Sequence, residues 1–292
     1  MEHTEDIWAD EAVASGMAVL DLRRLSEREF EADSLPMPGG RAYGGQVLAQ
    51  SLLAAGHTVD DDRQMHSMHG YFLRPGDASR PINFEVEVLR DGRSFSARRT
   101  HAFQDGKPIL SMIASFQLPQ EGPEHAVTMP EVPGPDAVAS GVDLLAPFEG
   151  DARADYWLKR TPFDLRHVEG SLLFQPDDRP KQYQTTWVRL RRRIDASDLM
   201  HRALLAFACD QVMLEPLLRR HGASWQTPGL SFASLDHAMW WHRPARADEW
   251  LLSVQDAPTA QGGRGLGGAW IFSEDGRLVA SASQEGMFRM PA

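Results

Sequence analysis

Cysteine is almost absent: Cys209 is the single one in 292 residues. No intramolecular disulfide can form, and no cysteine cage can hold zinc. No apolar run approaches the roughly 18–20 residues that span a bilayer. The first residues, Met1 to Asp6, are acidic where a secretory leader would be basic, and no apolar stretch follows them. A cytoplasmic protein without a membrane span is the expectation. Basic side chains are outnumbered, 30 against 41 acidic, for a formal charge of −11. Non-specific nucleic-acid binding needs clustered Lys and Arg, so nucleic acid is not an expected partner. A small anionic ligand needs only a local basic patch. Metal-binding spacings are missing too. His66 and His69 stand three apart on a strand-like run, facing opposite sides, and no H-E-x-x-H string occurs, so no metal site is expected. The G-x-S-x-G elbow of serine hydrolases is also absent.

What the chain has is enough apolar material for a core. Hydrophobic residues make up 42%, which excludes wholesale disorder. At roughly 150 residues per domain, the length fits two modest units or one large one. Prolines 119, 123, 130, 133, 135, 147 and 162 mark a bridge. Proline lacks a backbone donor and restricts its neighbour, so residues 119–162 read as a linker, with a helical turn possible in Asp151 to Arg160. The bridge separates an N-terminal unit, 1–118, from a C-terminal one, 163–292.

The two flanking units read alike. In the first, Val47, Leu48, Ser51, Leu52 and Ala55 have the spacing of a buried helix running to about Val59. Strand-like runs follow at 65–74, 82–88, 94–103 and 108–117. Asp91-Gly92 and Asp105-Gly106 give hairpin signals. In the second, a strand over 185–190 precedes a helix expected from about Leu199 to His221, capped by Ser197 or Asp198 and closed by Gly222. Strands follow at 231–243, 249–256, 265–272 and 277–288. Arg74-Pro75 and Arg243-Pro244 lie 169 apart, and Gly106 and Gly276 lie 170 apart. Two anchors with nearly one offset argue for a tandem repeat.

Within this frame a few residues stand out. Asp210 has Ala206, Phe207, Met213 and Leu214 as its helical neighbours, so it falls on an apolar face, where an unpaired charge is costly. Either the carboxylate has hydrogen-bonding partners or its chemistry is perturbed; a structural Asp held by backbone near a bend is the plain alternative. Gly263 to Gly268 matches G-x-G-x-x-G, but it leads into the strand Ala269 to Phe272 rather than a helix. A dinucleotide site is therefore rejected, and the glycines are read as a bulge or a close approach to a ligand. Arginines 90, 93, 98 and 99, and 189 and 191–193, form basic patches. Either patch has the charge to hold phosphates, but a solvated strand face with salt bridges is the commoner cause of such patches.

The strings Gly44 to Gln50 (GGQVLAQ), His66 to Asp77 (HSMHGYFLRPGD), Leu89 to Arg99 (LRDGRSFSARR), Leu235 to Trp240 (LDHAMW) and Gln284 to Gly286 (QEG) resemble the acyl-CoA thioesterase II (TesB-like) family, in order, over roughly Pro38 to Arg289. The resemblance implies an α+β double hot-dog, each half a long helix wrapped by a curved antiparallel sheet. It implies hydrolysis of acyl-CoA to a carboxylic acid and CoA by an activated water, with no cofactor. The water-activating residues it implies are Asp210, Ser234 (where the family form is Thr) and Gln284. Helix-start N–H groups around Gly44 and Gly45 would face the thioester oxygen, and Arg93 would help hold CoA. At the repeat offsets, Ala114 and Met65 stand where Gln284 and Ser234 stand, leaving the chemistry to the second half. A homo-oligomer, dimer or tetramer, is expected from the way such sheets join. Two rivals remain at this point: an enoyl-CoA hydratase using Asp236-His237, and an acyl-CoA-binding module without turnover.

Overall fold

The computed structural model describes residues 2–291, with side chains from residue 7. The first half runs α1 (Glu2–Leu20), β1 (Arg23–Arg24), β2 (Glu29–Ala32), α2 (Gly44–Gly56), β3 (Gln64–Phe72), β4 (Ile82–Asp91), β5 (Phe95–Gln104) and β6 (Lys107–Gln117). The bridge holds α3 (Gly141–Leu145) and α4 (Ala152–Lys159). The second half runs β7 (Phe163–His167), β8 (Tyr183–Leu190), α5 (Asp198–Cys209), α6 (Glu215–Arg220), β9 (Ser231–Ser234), β10 (Asp236–Trp241), β11 (Leu251–Gln261), β12 (Arg264–Ser273) and β13 (Leu278–Arg289).

All strands join one sheet in the order β1-β2-β4-β5-β6-β3-β10-β13-β12-β11-β8-β7, with β9 also on β13. Read outward from the β3–β10 seam, each half repeats one order: the strand after the helix (β3 or β10), the last strand (β6 or β13), the two strands before it in reverse (β5 and β4, or β12 and β11), and the strand before the helix (β2 or β8). At the seam, β3 and β10 pair antiparallel with His69 opposite Ala238. These two lie 169 apart, the repeat offset itself, so this pair marks a local two-fold relation.

The same hydrogen bonds recur in both halves. Leu73 and Arg74 N–H donate to Ile109 O at 2.8 and 3.3 Å, and His242 and Arg243 N–H donate to Val279 O at 2.8 and 3.3 Å. Arg74 Nη1 donates to Pro108 O at 2.8 Å, and Arg243 Nη1 to Leu278 O at 2.9 Å. The Arg-Pro anchors thus have a physical task. Each arginine closes a carbonyl on the neighbouring strand, and the proline ends pairing where no further donor is needed. The Asp105-Gly106 turn works as its sequence suggests, with φ of 49° and 70°.

α2 packs on the buried faces of β4–β6 and directly on α5. Thr100 Oγ1 donates to Ser51 O at 3.2 Å, tying β5 to α2. The α2–α5 contact is close because of glycine. A Cβ on Gly45 would come within 2.6 Å of Phe207 O, and one on Gly56 within 2.4 Å of Leu199. The start of α2 therefore meets the end of α5, and the two helices run antiparallel.

Four features differ from the sequence expectations. The single helix expected over 199–221 is two: α5 ends at Cys209, residues 210–214 turn, and α6 begins at Glu215, with Pro216 in its first turn. Proline is accommodated at a helix start and not inside one. The run 231–243 is β9 and β10, interrupted at Leu235. In the first half, β3 shows only a register shift between Met65 and Ser67. The bridge is more than a linker, since α4 is capped by Asp151, which accepts from Arg153 and Ala154 N–H. Lastly, α1 has no counterpart in the sequence reading. Its apolar periodicity is too weak to announce a helix that contacts α2 and α4.

The glycine-rich string is a close approach, but to the chain itself. A Cβ at Gly267 would sit 2.4 Å from Met213 O, one at Gly265 2.5 Å from Leu217, and one at Gly286 2.3 Å from Leu214. These strand glycines seat the 210–214 turn and α6 on the sheet. Gly267→Ala must displace backbone, and overpacking of this kind costs about 1–3 kcal/mol. Thermal unfolding should show that loss, whereas Gly122→Ala, with nothing within 4 Å of its Cβ, should stay within about 0.5 kcal/mol. An unchanged midpoint for Gly267→Ala would contradict the seating.

Candidate active site

The turn after α5 decides where Asp210 points. Asp210 is the C-cap of α5, so its side chain leaves the helix end instead of lying along its apolar face. Because α2 runs antiparallel and starts here, the carboxylate faces the positive end of α2. The ideal Cβ position of Gly44 lies 3.0 Å from Asp210 Oδ2, so any larger residue at 44 would fill that contact. The N-cap residue of α2, Tyr43, makes no side-chain cap, and the first N–H groups of a helix have no partner within it. The Tyr43 hydroxyl instead donates to Phe207 O at 2.8 Å. Burial, and after it the charge of Asp210, raises the Tyr43 phenol well above its ordinary value, so it stays protonated.

The other oxygen of Asp210 has side-chain partners. Gln284 Nε2 donates to Asp210 Oδ1 at 2.9 Å and to Ser234 Oγ at 2.6 Å. Ser234 Oγ lies 3.4 Å from Asp210 Oδ1, a long donor contact. Asp210, Ser234 and Gln284, separated in sequence, thus form one hydrogen-bonded group. Sheet register explains why the first half has no equivalent. Ala114 faces Met68 on β3, and Met65 faces Phe116, while in the second half Gln284 lies beside His237 and Ser234 faces Gly286. Apolar side chains fill the equivalent positions.

His237 is the member that sequence reading missed. Its Nδ1 lies 2.5 Å from Gln284 Oε1. A carboxylate can only accept, so the Gln284 amide must turn its NH₂ toward Asp210 and its oxygen toward His237. Nδ1 therefore carries the proton. His237 is fully buried and its Nε2 has no partner among the described residues. Burial, against the opposing pull of Asp210, Gln284 and Asp236, lowers its pKa. The one hint in the sequence was a histidine at an inward position of a period-two strand. Asp236, its neighbour, points elsewhere and accepts from Glu285 N–H at 2.7 Å. The two do not form an acid–base pair aimed at a substrate.

Asp210, Ser234 and Gln284 open onto a cavity of about 760 Å³. The first half contributes Gly44, Val47 and Phe72 to its wall, and the bridge contributes Tyr156 and Trp157. Trp225, also in the cavity wall, donates Nε1–H to Glu215 Oε1 at 2.8 Å. Burial pushes the Glu215 carboxyl up, but His167, Trp225 and Gln184 together outweigh it and hold the pKa below its ordinary value. Gly45 lies one residue behind the lining, against Phe207. Arg93 is not brought to the site: it sits exposed in the turn between β4 and β5, and the arginines lining the cavity are Arg41, Arg74 and Arg153. This end of β4 and β5 lies beside the C-terminal end of α2, where Arg98 donates to Thr58 O and to Arg90 O, whereas Asp210 faces the start of α2; proximity in sequence to a motif therefore did not bring Arg93 to the cavity. Among the described residues no three His, Cys, Asp or Glu side chains gather as a metal cage would require, and no helix is long and apolar enough to cross a membrane.

The state of His237 can be read without any substrate. Nitrogen-15 NMR should show its ring neutral and protonated at Nδ1 at pH 7. Because its pKa is lowered, it should not gain a proton as the pH falls through 6.5, only further down. An Nε2-protonated ring, or an ordinary titration midpoint, would refute the assigned amide orientation.

Comparison with known proteins gives the geometry a lineage. Residues 32–117 match the family described as acyl-CoA thioesterase N-terminal domain, and residues 123–288 match the acyl-CoA thioesterase C-terminal domain. Acyl-coenzyme A thioesterase 8 of Homo sapiens is 37% identical over 283 residues, covering 93% of this chain and 88% of its own. Acyl-CoA thioesterase 2 of Haemophilus influenzae is 34% identical, covering 93% and 96%. The crystal structure of acyl-CoA thioesterase II TesB2 from Mycobacterium marinum superposes with a TM-score of 0.78 at 39% identity, covering 95% of this chain and 99% of that one. A conserved protein with a hot dog fold from Alicyclobacillus acidocaldarius, at 20% identity and a TM-score of 0.77, shows the same fold. The fold is the double hot-dog, α+β, and the chain belongs to the acyl-CoA thioesterase family.

Proposed function

We propose that this protein hydrolyses acyl-CoA thioesters to a carboxylic acid and free CoA. The observation that carries the reading is the placement of Asp210. One oxygen is held by Gln284 and Ser234, the other faces the start of α2, and both lie on the wall of one cavity. Asp210 takes a proton from a water as the water oxygen attacks the thioester carbonyl. Ser234 and Gln284 hold that water and the carboxylate in line. N–H groups at the start of α2, at Gly44 and Gly45, face the carbonyl oxygen as it gains negative charge. The carbon–sulfur bond then breaks, and the proton held by Asp210 passes to the leaving thiolate. Water supplies the oxygen, so the step needs no cofactor. His237 acts one bond away by fixing the Gln284 amide.

The hydratase alternative loses its footing in the side-chain placement, because His237 bonds Gln284 and Asp236 bonds backbone. The division into units 1–118 and 163–292 is retained as a proposal, with α4 of the intervening bridge assigned to the cavity wall. The assembly proposed is a homo-oligomer, dimer or tetramer. Exposed Tyr71, Ile113 and Trp270 on the strands support it. Light scattering should give a mass of at least two chains; a monomer at micromolar concentration would refute it.

Steady-state hydrolysis of a medium-chain acyl-CoA tests the roles. Asp210→Asn should lower kcat by about 10²- to 10⁴-fold with little change in KM. Ser234→Ala should cost less, and Ser234→Thr should keep activity. His66→Gln should leave turnover intact, since its ring is engaged with Ser115. Wild-type turnover in Asp210→Asn would show that the base lies elsewhere.

A further inference from the structure

The charge of the cavity wall is opposite to that of the protein. The chain carries −11 overall, yet among the described residues Asp210 is the only acidic one lining the cavity, against three arginines. Arg41, Arg74 and Arg153 come from three separate segments: the loop before α2, the end of β3, and the first turn of α4. All three are exposed, so they stand at the mouth, whereas Gln284 is buried. Among the described residues none forms an ion pair with a carboxylate, unlike Arg80 in the loop before β4 and Arg98 and Arg99 on β5.

Their backbones are nonetheless fixed. Arg41 bridges to Asp77, and Arg74 Nη1 is anchored on Pro108 O. Arg153 N–H donates to the Asp151 cap at 2.9 Å. The nearby acids are engaged elsewhere. Asp77 accepts from Ser79, and Asp155 accepts from Gly150 N–H and pairs with Lys159. Guanidinium groups held at the mouth without carboxylate partners form a site for a polyanion, and the planar fork suits phosphate oxygens.

We propose that Arg41, Arg74 and Arg153 form the subsite for the phosphate groups of coenzyme A. This assignment rests on the reading that the substrate is an acyl-CoA. It orients the substrate: the nucleotide end stays at the arginine mouth, and the pantetheine arm threads inward to put the thioester at Asp210. It also gives α4 of the bridge a binding task.

The test compares S-octanoyl-CoA with S-octanoylpantetheine, which keeps the thioester and the arm but has no phosphates. Arg74 is left intact because of its anchor on Pro108. Arg41→Gln and Arg153→Gln should each raise KM for the CoA ester about 3- to 10-fold, and the double variant more than about 20-fold, with kcat changed less than about twofold. The pantetheine ester should shift less than about twofold. High salt should erase most of the difference between wild type and variants on the CoA ester. Arg93→Gln removes the same charge outside the cavity and should change neither KM. Equal KM increases for both esters, no increase for either, or an increase only in Arg93→Gln would overturn the assignment. If wild-type protein turned over neither ester, the hydrolase reading would fail instead. Calorimetric binding of free CoA and of pantetheine would still decide the subsite. Weaker CoA binding by the double variant with unchanged pantetheine binding supports it, and equal CoA affinity of variant and wild type refutes it.

Discussion

The site depends on how closely the turn after α5 sits on the sheet. Met213 O occupies the space a side chain at Gly267 would need, and Leu214 and Leu217 press on Gly286 and Gly265. Only bare backbone on β12 and β13 lets the turn approach this far. That approach ends α5 at Asp210 and brings the carboxylate to Gln284 on β13. A helix continuing through these residues would carry Asp210 along its side, into the apolar packing between helix and sheet. The arrangement explains how a charged group is tolerated here: each oxygen has a polar surrounding, one from side chains and one from a helix start.

The halves are alike in backbone and unlike in chemistry. Hydrogen bonds around Arg74 recur around Arg243, and both halves use one strand order. Yet Ala114 and Met65 leave the first half with no polar pair to meet a carboxylate. The first half instead supplies the start of α2, the Tyr43 hydroxyl and two of the mouth arginines. The site is therefore composite. It needs α2 against α5, and glycines at both ends of α2 make that contact possible. Neither half alone holds both the carboxylate and the helix start it faces.

Much of this was legible in the sequence. Period-two runs located the principal strands, and the Asp-Gly turns located their hairpins, because sheet pairing with one buried face leaves a strong pattern. The repeated Arg-Pro anchors announced the tandem organisation, and the family resemblance pointed to Asp210, Ser234 and Gln284. The helix break at 210–214 was harder to see. Residues 199–221 have continuous helical periodicity, and only Pro216 hinted at a restart; the cause lies in glycines over fifty residues away. The bridge looked like a linker because proline spacing dominates its composition, while its helix α4 is fixed by a local Asp151 cap and by packing. His237 entered the sequence reading only through the rival hydratase pair, since sequence does not say that its ring meets an amide on another strand. Arg93 was chosen for its neighbourhood in a motif, and the fold turns that loop away from the cavity.

The central claim is that Asp210 acts on a water rather than on the thioester itself. A single turnover in ¹⁸O-labelled water, with enzyme in excess over acyl-CoA, separates these directly. Attack by an Asp210-activated water places one ¹⁸O in the carboxylic acid formed in that first turnover and leaves the protein unlabelled. An unlabelled acid accompanied by ¹⁸O in the Asp210 carboxylate would mean that Asp210 had formed a covalent acyl anhydride, and would contradict the account.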